Sequence, residues 1–343
     1  MTMLKYPLLG ALLVCSLATS GSASAQESVD KLFHGKTLTI ILPGVPGAGR
    51  GDNALPFIEY FAKHIPGNPT VVPQYMPGAG GSIGMNYLYN QAPRDGLTIG
   101  SPLSAFVVAQ VTGDKSVKYD VSKMSWIGRT ADSSQLIYVW HTTGVTSIDD
   151  AKKKTVTIGS SGVNSASTIL PLILNETLGT KFKIIQGYNG SAAFNLAVER
   201  GETDGSMTTW NTVKTNYSQW VKDGKVRVIV QLSLHKNSEI ADVPLAMDLA
   251  SSDADKQLIE FACSSAELGQ SFIAPPNVPP RMIDALRRAF DDTMKDPDYI
   301  ATTKKAHIDL NPLSGEKLDE IVRQTLNVSK DVIARYQKAV SVN

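Results

Sequence analysis

The sequence predicts an α/β protein made of two lobes. From Lys36 onward, short apolar runs of strand length alternate with longer stretches of helical periodicity, as in chains built from β–α units. Most of the apolar runs end in turns rich in glycine, proline, serine or asparagine. About 318 residues remain once the first 25 are set aside, a length that suits two lobes better than one. We therefore expect sheets of mainly parallel strands with helices between them.

Eight segments are predicted to be strands from their apolar, β-branched composition. They are Thr37 to Leu42, Thr70 to Tyr75, Leu97 to Ser101, Gln135 to His141, Val156 to Ser160, Phe182 to Gln186, Gly205 to Thr208 and Val226 to Leu232. Apolar side chains recur at helical spacing over residues 55–65 and 286–294, which predicts amphipathic helices there. The apolar positions of Lys317 to Val340 drift around the helix, so this segment forms either one helix or two.

The predicted first lobe comprises residues 26–127 and 233–343, and the predicted second lobe comprises residues 128–232. Met124 to Ile127 and Val226 to Ser233 are the candidate crossovers, because the chain between them forms a self-contained β/α series. Two crossings would allow the lobes to hinge.

Residues 1–25 are predicted to be a cleavable signal peptide. Lys5 is the only charged residue before the apolar run from Leu8 to Leu17, which is too short to span a bilayer as a mature helix. Ala23-Ser24-Ala25 has the small-x-small pattern of a cleavage site. We expect the mature chain to begin near Gln26 and to be exported.

Composition excludes several classes of protein. The chain has 33 Lys and Arg against 32 Asp and Glu, so loss of Lys5 with the signal peptide leaves a formally neutral protein. Nucleic-acid-binding proteins normally show a basic excess, and we therefore expect no nucleic-acid partner. Cys263 is the only cysteine after residue 25, so no intrachain disulfide is expected despite export. The mature chain is expected to be a soluble monomer.

The turn after the first strand, residues 43–52, is the first candidate ligand-binding element. Its glycines let a ligand approach bare backbone, its two prolines restrict the loop, and the helix that follows points its positive end into the same space. Arg50 adds a fixed positive charge. The residues predicted to bind an anion here are Gly44, Val45, Gly47, Ala48, Gly49, Arg50 and Asp52.

A second glycine-rich turn, Pro77 to Gly84, follows the second strand in the same way. The carboxyl ends of parallel strands are where α/β proteins usually hold ligands, so Gly80, Gly81 and Ser101 are further candidates. The alternative for both turns is structural, because glycine and proline also permit tight connections between a strand and a helix.

Neither turn matches a nucleotide-binding motif. A phosphate-binding P-loop needs Gly-Lys-Ser/Thr, which is absent from both turns. The dinucleotide fingerprint needs a third glycine where this chain has Asp52 in the first turn and Ile83 in the second. Nucleotide binding is therefore disfavoured.

Three polar turns in the predicted second lobe supply further candidates, which would face the turns of the first lobe. Each follows a predicted strand, and each has a structural alternative: the serines and the asparagine can cap the next helix, and the aromatic residues can be packing residues. The candidates are Ser160, Ser161, Gly162, Asn164, Ser165, Tyr188, Asn189, Gly190 and Trp210.

The sequence gives little support to an enzyme. The five histidines are scattered without metal-ligand spacing, and Gly159-Ser-Ser-Gly162 is one residue short of the nucleophile elbow. Asp52 and Asp204 could pair near strand ends, but Asp52 is equally suited to capping a helix. We expect no catalytic residue, no metal and no cofactor.

The mature chain resembles, over nearly its full length, the substrate-binding proteins of tripartite tricarboxylate transporters, also called the Bug family. The matching segments, in order, are the first strand with its proline/glycine turn, His64-Ile-Pro-Gly-Asn-Pro69, Met76-Pro-Gly-Ala-Gly-Gly81, Ala92-Pro-Arg-Asp-Gly96, Gly159-Ser-Ser-Gly162 and Tyr188-Asn-Gly190.

This resemblance implies a periplasmic, two-lobed Venus flytrap of type II that closes on a small carboxylate and delivers it to a membrane permease. In the family the first-lobe turn binds a ligand carboxylate through backbone amides and ordered water, a role that falls here on Gly44 to Asp52. The second-lobe turns correspond to Ser160 to Ser165 and Tyr188 to Gly190. Arg50 departs from the family pattern, where glycines are followed by Thr-Asp or Tyr-Asp.

The ligand class is left open between di- or tricarboxylates, aromatic carboxylates and amino acids. Tyr188 and Trp210 favour a ring. Two other functions remain as alternatives: a periplasmic sensor that passes its liganded state to a signalling receptor, and an exported hydrolase.

Overall fold

The structure is a computed structural model that describes residues 29–43, 46, 54–78, 81–162, 165–188, 191–306 and 308–341, apart from the side chains of residues 191 and 192. All statements of structure below concern these residues. Most of the first predicted ligand-binding turn falls outside them.

Eleven strands form within the described ranges. They are β1 Thr37–Leu42, β2 Thr70–Tyr75, β3 Thr98–Gly100, β4 Ser125–Arg129, β5 Gln135–Trp140, β6 Val156–Ser160, β7 Phe182–Gln186, β8 Gly205–Thr208, β9 Val226–Leu232, β10 Ser271–Ala274 and β11 Leu313–Ser314. The eight predicted strands are confirmed to within one residue at each end. Strands β4, β10 and β11 were not predicted from the sequence.

Thirteen α-helices accompany the strands in the same ranges. They are α1 Leu55–His64, α2 Ser82–Asn90, α3 Phe106–Val111, α4 Ile148–Lys153, α5 Ala166–Leu178, α6 Ser191–Glu199, α7 Trp210–Asn216, α8 Ser218–Lys222, α9 Asp253–Leu268, α10 Pro280–Lys295, α11 Pro297–Lys305, α12 Gly315–Leu326 and α13 Lys330–Val340. The last predicted helical segment is therefore two helices. Ser329 begins the second of them, because its hydroxyl accepts a hydrogen bond from the Val332 amide at 3.3 Å.

The strands form two separate sheets of mixed direction. The first has the order β11-β4-β10-β3-β1-β2, and the second has the order β7-β6-β8-β5-β9. Strands β1, β2 and β3 are parallel, and so are β6, β7 and β8, but β10, β11, β5 and β9 lie antiparallel to their neighbours. The expectation of mainly parallel strands is thus wrong.

The direction of two strands follows from where the chain enters each sheet. Ser271 pairs with Arg129, so β10 begins at the edge where β4 ends. Leu136 pairs with Thr208, so β5 begins at the edge where β8 ends. A strand that starts at the edge where its neighbour ends must run antiparallel to it. Residues 130–134 join the end of β4 to the start of β5. The carboxyl ends of the parallel strands β1–β3 and β6–β8 therefore lie near this connection.

Each sheet has its own apolar core. Phe57 stacks on Phe61 and Phe272 beside the first sheet, with ring centroids 4.8 and 4.2 Å apart. The core of the second sheet includes side chains from α9 and α13, where Phe261 meets Tyr336 edge-to-face. The exact division of the chain into lobes therefore stays a prediction, since α9 and α13 follow the second predicted crossover in sequence. Among the described residues, no helix combines the length and apolar character needed to cross a bilayer.

Candidate ligand site between the two sheets

A buried ion pair fixes the connection between the sheets. The Arg129 side chain, 3% exposed at the end of β4, places Nη1 3.1 Å from Oε2 of Glu267 at the end of α9. Nη1 also donates to the Glu267 carbonyl oxygen at 2.6 Å, and Nε and Nη2 donate to the Asn311 carbonyl oxygen at 3.2 and 3.0 Å. Three segments that are distant in sequence are thereby held together.

Gly269 allows the return segment to pass close to this connection. The Gln270 amide donates to the Ala131 carbonyl oxygen at 2.7 Å, and the Thr130 amide donates to the Gln270 carbonyl oxygen at 3.0 Å. Gly269 has a φ of +30°, and a Cβ at this position would lie 1.9 Å from the Ala131 oxygen. Only glycine combines this positive φ with the absence of a Cβ.

A cavity of about 460 Å³ lies beside the connection and is lined by residues of β5 and β9 in the second sheet and by segments that adjoin β10 and β11 of the first sheet. We call it the junction cavity. Its volume is in the range of pockets that hold small organic ligands. Its described lining residues are Ala131, Asp132, Ser133, Ser134, Gln135, Leu136, Thr209, Trp210, Asn211, Thr212, Thr215, Asn216, Gln231, Ser233, Asn237, Ile240, Gln270, Ala306, Ile308, Asp309 and Asn311.

A chain of polar contacts holds Trp210 in the cavity wall. Its indole Nε1 donates to Oε2 of Glu239 at 2.6 Å, and Lys214 Nζ lies 3.0 Å from the same oxygen. Lys214 also reaches Asp309 Oδ2 at 3.2 Å, which links the second-sheet helix α7 to the segment that precedes β11. A hydrogen bond from Lys214, and to a smaller extent one from Trp210, holds the pKa of Glu239 below its ordinary value.

Buried Gln231 fixes another part of the wall. Its Nε2 donates to the carbonyl oxygens of Ile240 and Val243 at 3.0 and 2.9 Å, and its Oε1 accepts from the Asn237 amide at 2.8 Å. The loop that carries Glu239 is thereby tied to β9. Glu239, which positions the indole of Trp210, is therefore itself held in place, as a preorganised binding surface requires.

Ser160 is the centre of a hydroxyl cluster at the end of β6. Its side chain is fully buried, and its Oγ lies 2.6, 3.0 and 3.1 Å from the hydroxyl oxygens of Thr168, Ser165 and Ser167. Ser165 occupies the N-cap position of α5, but its hydroxyl donates to the Gly162 carbonyl oxygen at 2.7 Å instead of capping the helix. The cluster shapes the turn and leaves the positive end of a 13-residue helix without a side-chain cap from Ser165.

Ser160→Ala is expected to lower the free energy of unfolding by about 1 to 3 kcal/mol, because several buried hydroxyl groups lose a partner. The control is Ser161→Ala at the neighbouring exposed position, where we expect a change within about 0.5 kcal/mol. Urea unfolding followed by circular dichroism measures both. Equal midpoints for the two variants would show that the cluster does not stabilise the turn.

Tyr188 lies against the same turn. Its amide donates to the Ser160 carbonyl oxygen at 3.2 Å, and its half-buried ring packs over Gly159, where an added Cβ would lie 3.3 Å from ring carbon Cδ2. The ring also meets Phe194 edge-to-face with centroids 6.2 Å apart. The structure thus brings Tyr188 next to Ser160, as expected for neighbouring parallel strands.

Gly81 and Ser101 come together at the facing edge of the first sheet. Ser101 is 3% exposed, and its amide donates to the Ile41 carbonyl oxygen at 2.9 Å. Gly81 has a φ of +90° at the start of α2, and both residues border a small crevice with Pro43. These two predicted positions are adjacent in space.

Of the described predicted residues, Trp210 alone lines the junction cavity. Three other lining residues, Asp132, Asp309 and Asn311, were not predicted from the sequence, because they lie on a connecting segment and on a segment far along the chain. The predicted residues that lie outside the described ranges are Gly44, Val45, Gly47, Ala48, Gly49, Arg50, Asp52, Gly80, Asn164, Asn189 and Gly190.

The described residues contain no group of three His, Cys, Asp or Glu side chains arranged to hold a metal ion. The thiol of Cys263 is buried in the core of the second sheet. Its burial, and to a smaller extent the nearby Glu267 charge, raises its pKa to about 12. A thiol with this pKa stays protonated at neutral pH and is a poor nucleophile.

Solved structures show the same two-domain architecture. A TctC solute-binding protein from Polaromonas superposes with a TM-score of 0.69 at 16% identity, over 88% of this chain and 98% of that one. A Rhodopseudomonas palustris protein solved with malate, MatC, gives 0.60 at 17% identity, over 89% and 99%. An R. palustris protein solved with adipate gives 0.62 at 15% identity, over 88% and 97%. These likenesses confirm the predicted fold class, the two-domain α/β fold of periplasmic binding proteins.

A comparison with curated proteins found no match. The model of a protein family described as the tripartite tricarboxylate transporter family receptor matches residues 61–337, which is most of the chain. This match confirms the family that the sequence motifs suggested. The chain belongs to the receptor family of the tripartite tricarboxylate transporters.

Proposed function

We propose that this protein is a periplasmic solute-binding protein that captures a small carboxylate between two lobes and delivers it to the permease of a tripartite tricarboxylate-type transporter. The ligand classes open to this site are di- or tricarboxylates, aromatic carboxylates and amino acids, and the ligand is released unchanged. The observation that carries this proposal is the family match over residues 61–337 in a chain whose junction cavity lies where the second sheet meets segments that adjoin strands of the first.

Two further observations support a carboxylate. Proteins of the same fold were solved with malate and with adipate, both of which are dicarboxylates. In this chain the start of α5 adjoins the Ser160 turn, and the positive end of a helix favours an anion.

The proposed ligand-binding residues are those predicted from the sequence, with Arg50 as the direct partner of a ligand carboxylate. Lobe 1 comprises residues 26–127 and 233–343 in this proposal, and lobe 2 comprises residues 128–232. If the Arg50 contact is buried in the closed form, Arg50→Ala should cost roughly 2 to 5 kcal/mol of binding free energy. Unchanged affinity in calorimetric titration would exclude the direct contact.

A thermal-shift screen of carboxylates against the chain that begins at Gln26 tests the function. A ligand present at about 100 times its Kd should stabilise the native state by about 2.7 kcal/mol and raise Tm by a few degrees. The panel holds citrate, malate, adipate, terephthalate and glutamate, with chloride and glucose as controls. A melt that shifts only with cations or uncharged sugars would overturn the carboxylate proposal, and recovery of a chemically altered ligand would favour the hydrolase.

A further inference from the structure

The charged side chains in the described wall of the junction cavity are carboxylates. Asp132 and Asp309 line it, and no Lys, Arg or His is among its described lining residues. Lys214 stands beside the wall, where it is shared between Asp309 and Glu239 at 3.2 and 3.0 Å. Two carboxylates, Asp309 and Glu239, therefore share one ammonium group, and Asp132 adds a third negative charge to the cavity wall. An anionic ligand group is disfavoured here, and a cationic one is favoured.

Asp132 is held in a fixed position on the cavity wall. Its Oδ2 accepts a hydrogen bond from Asn311 Nδ2 at 2.8 Å, and the Asn311 carbonyl oxygen in turn accepts from the buried Arg129 guanidinium. Among the described residues, no Lys, Arg or His lies within ion-pair distance of Asp132. A half-buried carboxylate that is anchored in this way suits a ligand ammonium group.

Trp210 supplies the second element of an ammonium site. Its ring lines the same cavity, and Glu239 fixes the indole through the 2.6 Å hydrogen bond to Nε1. Tryptophan is the best aromatic partner of an ammonium group, because the face of its ring is electron-rich.

The spacing of strands in the second sheet indicates how far the ammonium site lies from the proposed carboxylate site. Strand β8 separates β6, which ends at Ser160, from β5, which begins at Gln135 beside the connection. Neighbouring strands are 4.7 to 4.9 Å apart, so β6 and β5 are separated by roughly 10 Å across the sheet. A carboxylate near the start of α5 and an ammonium group at Asp132 therefore require a ligand with its charges at opposite ends of a chain.

We propose that the preferred ligand is a linear ω-ammonium carboxylate, with its ammonium group between Asp132 and Trp210. This inference rests on the proposed function, because the carboxylate end is the one that the family relationship supports. It adds a second, cation-selective subsite that the carboxylate proposal alone does not contain.

Calorimetric titration with matched six-carbon ligands tests the subsite. Adipate has a carboxylate at each end, 6-aminohexanoate replaces one of them with an ammonium group, hexanoate lacks the second charge and hexylamine lacks the carboxylate. We expect 6-aminohexanoate to bind at least tenfold more tightly than adipate or hexanoate, with no detectable binding of hexylamine.

Asp132→Asn should remove most of this preference, because asparagine keeps an oxygen for Asn311 but loses the charge. The matched control is Asp149→Asn at an exposed position on α4, which should leave the preference unchanged. Tm values without ligand confirm that both variants fold, and the wild-type comparison of the four ligands needs no variant.

The outcomes separate the two proposals. If adipate or hexanoate binds as tightly as 6-aminohexanoate, the subsite is overturned and the carboxylate-binding function stands. If hexylamine binds as tightly as 6-aminohexanoate, or if none of these ligands and none of the carboxylate panel binds, the proposed function itself is overturned.

Discussion

Replacing Arg129 with methionine is expected to lower the free energy of unfolding by about 3 to 5 kcal/mol. Both side chains of the Arg129–Glu267 pair are at most 5% exposed, so the variant leaves a carboxylate buried without its partner. The carbonyl oxygens of Glu267 and Asn311 also lose their donors. Guanidinium chloride unfolding of the two proteins, with the midpoint and slope compared, measures the loss.

Two controls assign the effect to the buried charge. Lys152→Met breaks an exposed ion pair with Asp149 and should cost less than about 1 kcal/mol. The double variant Arg129→Met/Glu267→Met removes both charges and should regain part of the lost stability, although the Asn311 carbonyl oxygen still lacks its donors. A loss below about 1 kcal/mol for Arg129→Met, similar to the exposed pair, would contradict this account of the connection.

Gly269→Ala is expected to cost roughly 2 to 5 kcal/mol, because the new Cβ meets the Ala131 oxygen and the backbone is held at positive φ. Gly144→Ala is the control for positive φ without a clash: Gly144 lies in the left-handed helical region at φ +71°, and an added Cβ there has no heavy atom within 4 Å. This variant should show left-handed backbone strain alone, about 1 to 2 kcal/mol. Thermal and chemical unfolding distinguish the two, and equal losses would mean that the approach to Ala131 does not constrain the chain.

The sequence predicts strands well where an apolar run is bounded by turn residues. The runs that become β1 and β6 have clear ends, and their bounds match the structure. Strand β4 has no such signal, because Ser125–Arg129 contains few apolar residues and it pairs with β10, a segment more than 140 positions away. Strand direction could not be predicted, since it depends on the sheet edge at which the returning chain enters.

The predicted site and the observed cavity overlap only in part, because contacts between distant segments also place residues in the cavity wall. Turns that directly follow strands can be recognised in a sequence, and Trp210 lies just after β8. Asp132 and Asp309 reach the cavity only because Arg129 and Lys214 hold distant segments together. These pairings involve residues up to 182 positions apart, and no local pattern reports them.

Hydrogen–deuterium exchange with and without a bound carboxylate tests the central claim, capture between the two sheets, most directly. The probe is whichever carboxylate gives the largest thermal shift at saturation. We expect slower exchange on both sides of the junction, in peptides that cover residues 131–136, 160–168 and 209–216 and in those that cover residues 308–311. Protection confined to one side, or located only at the groove between α9 and α12, would contradict binding between the sheets.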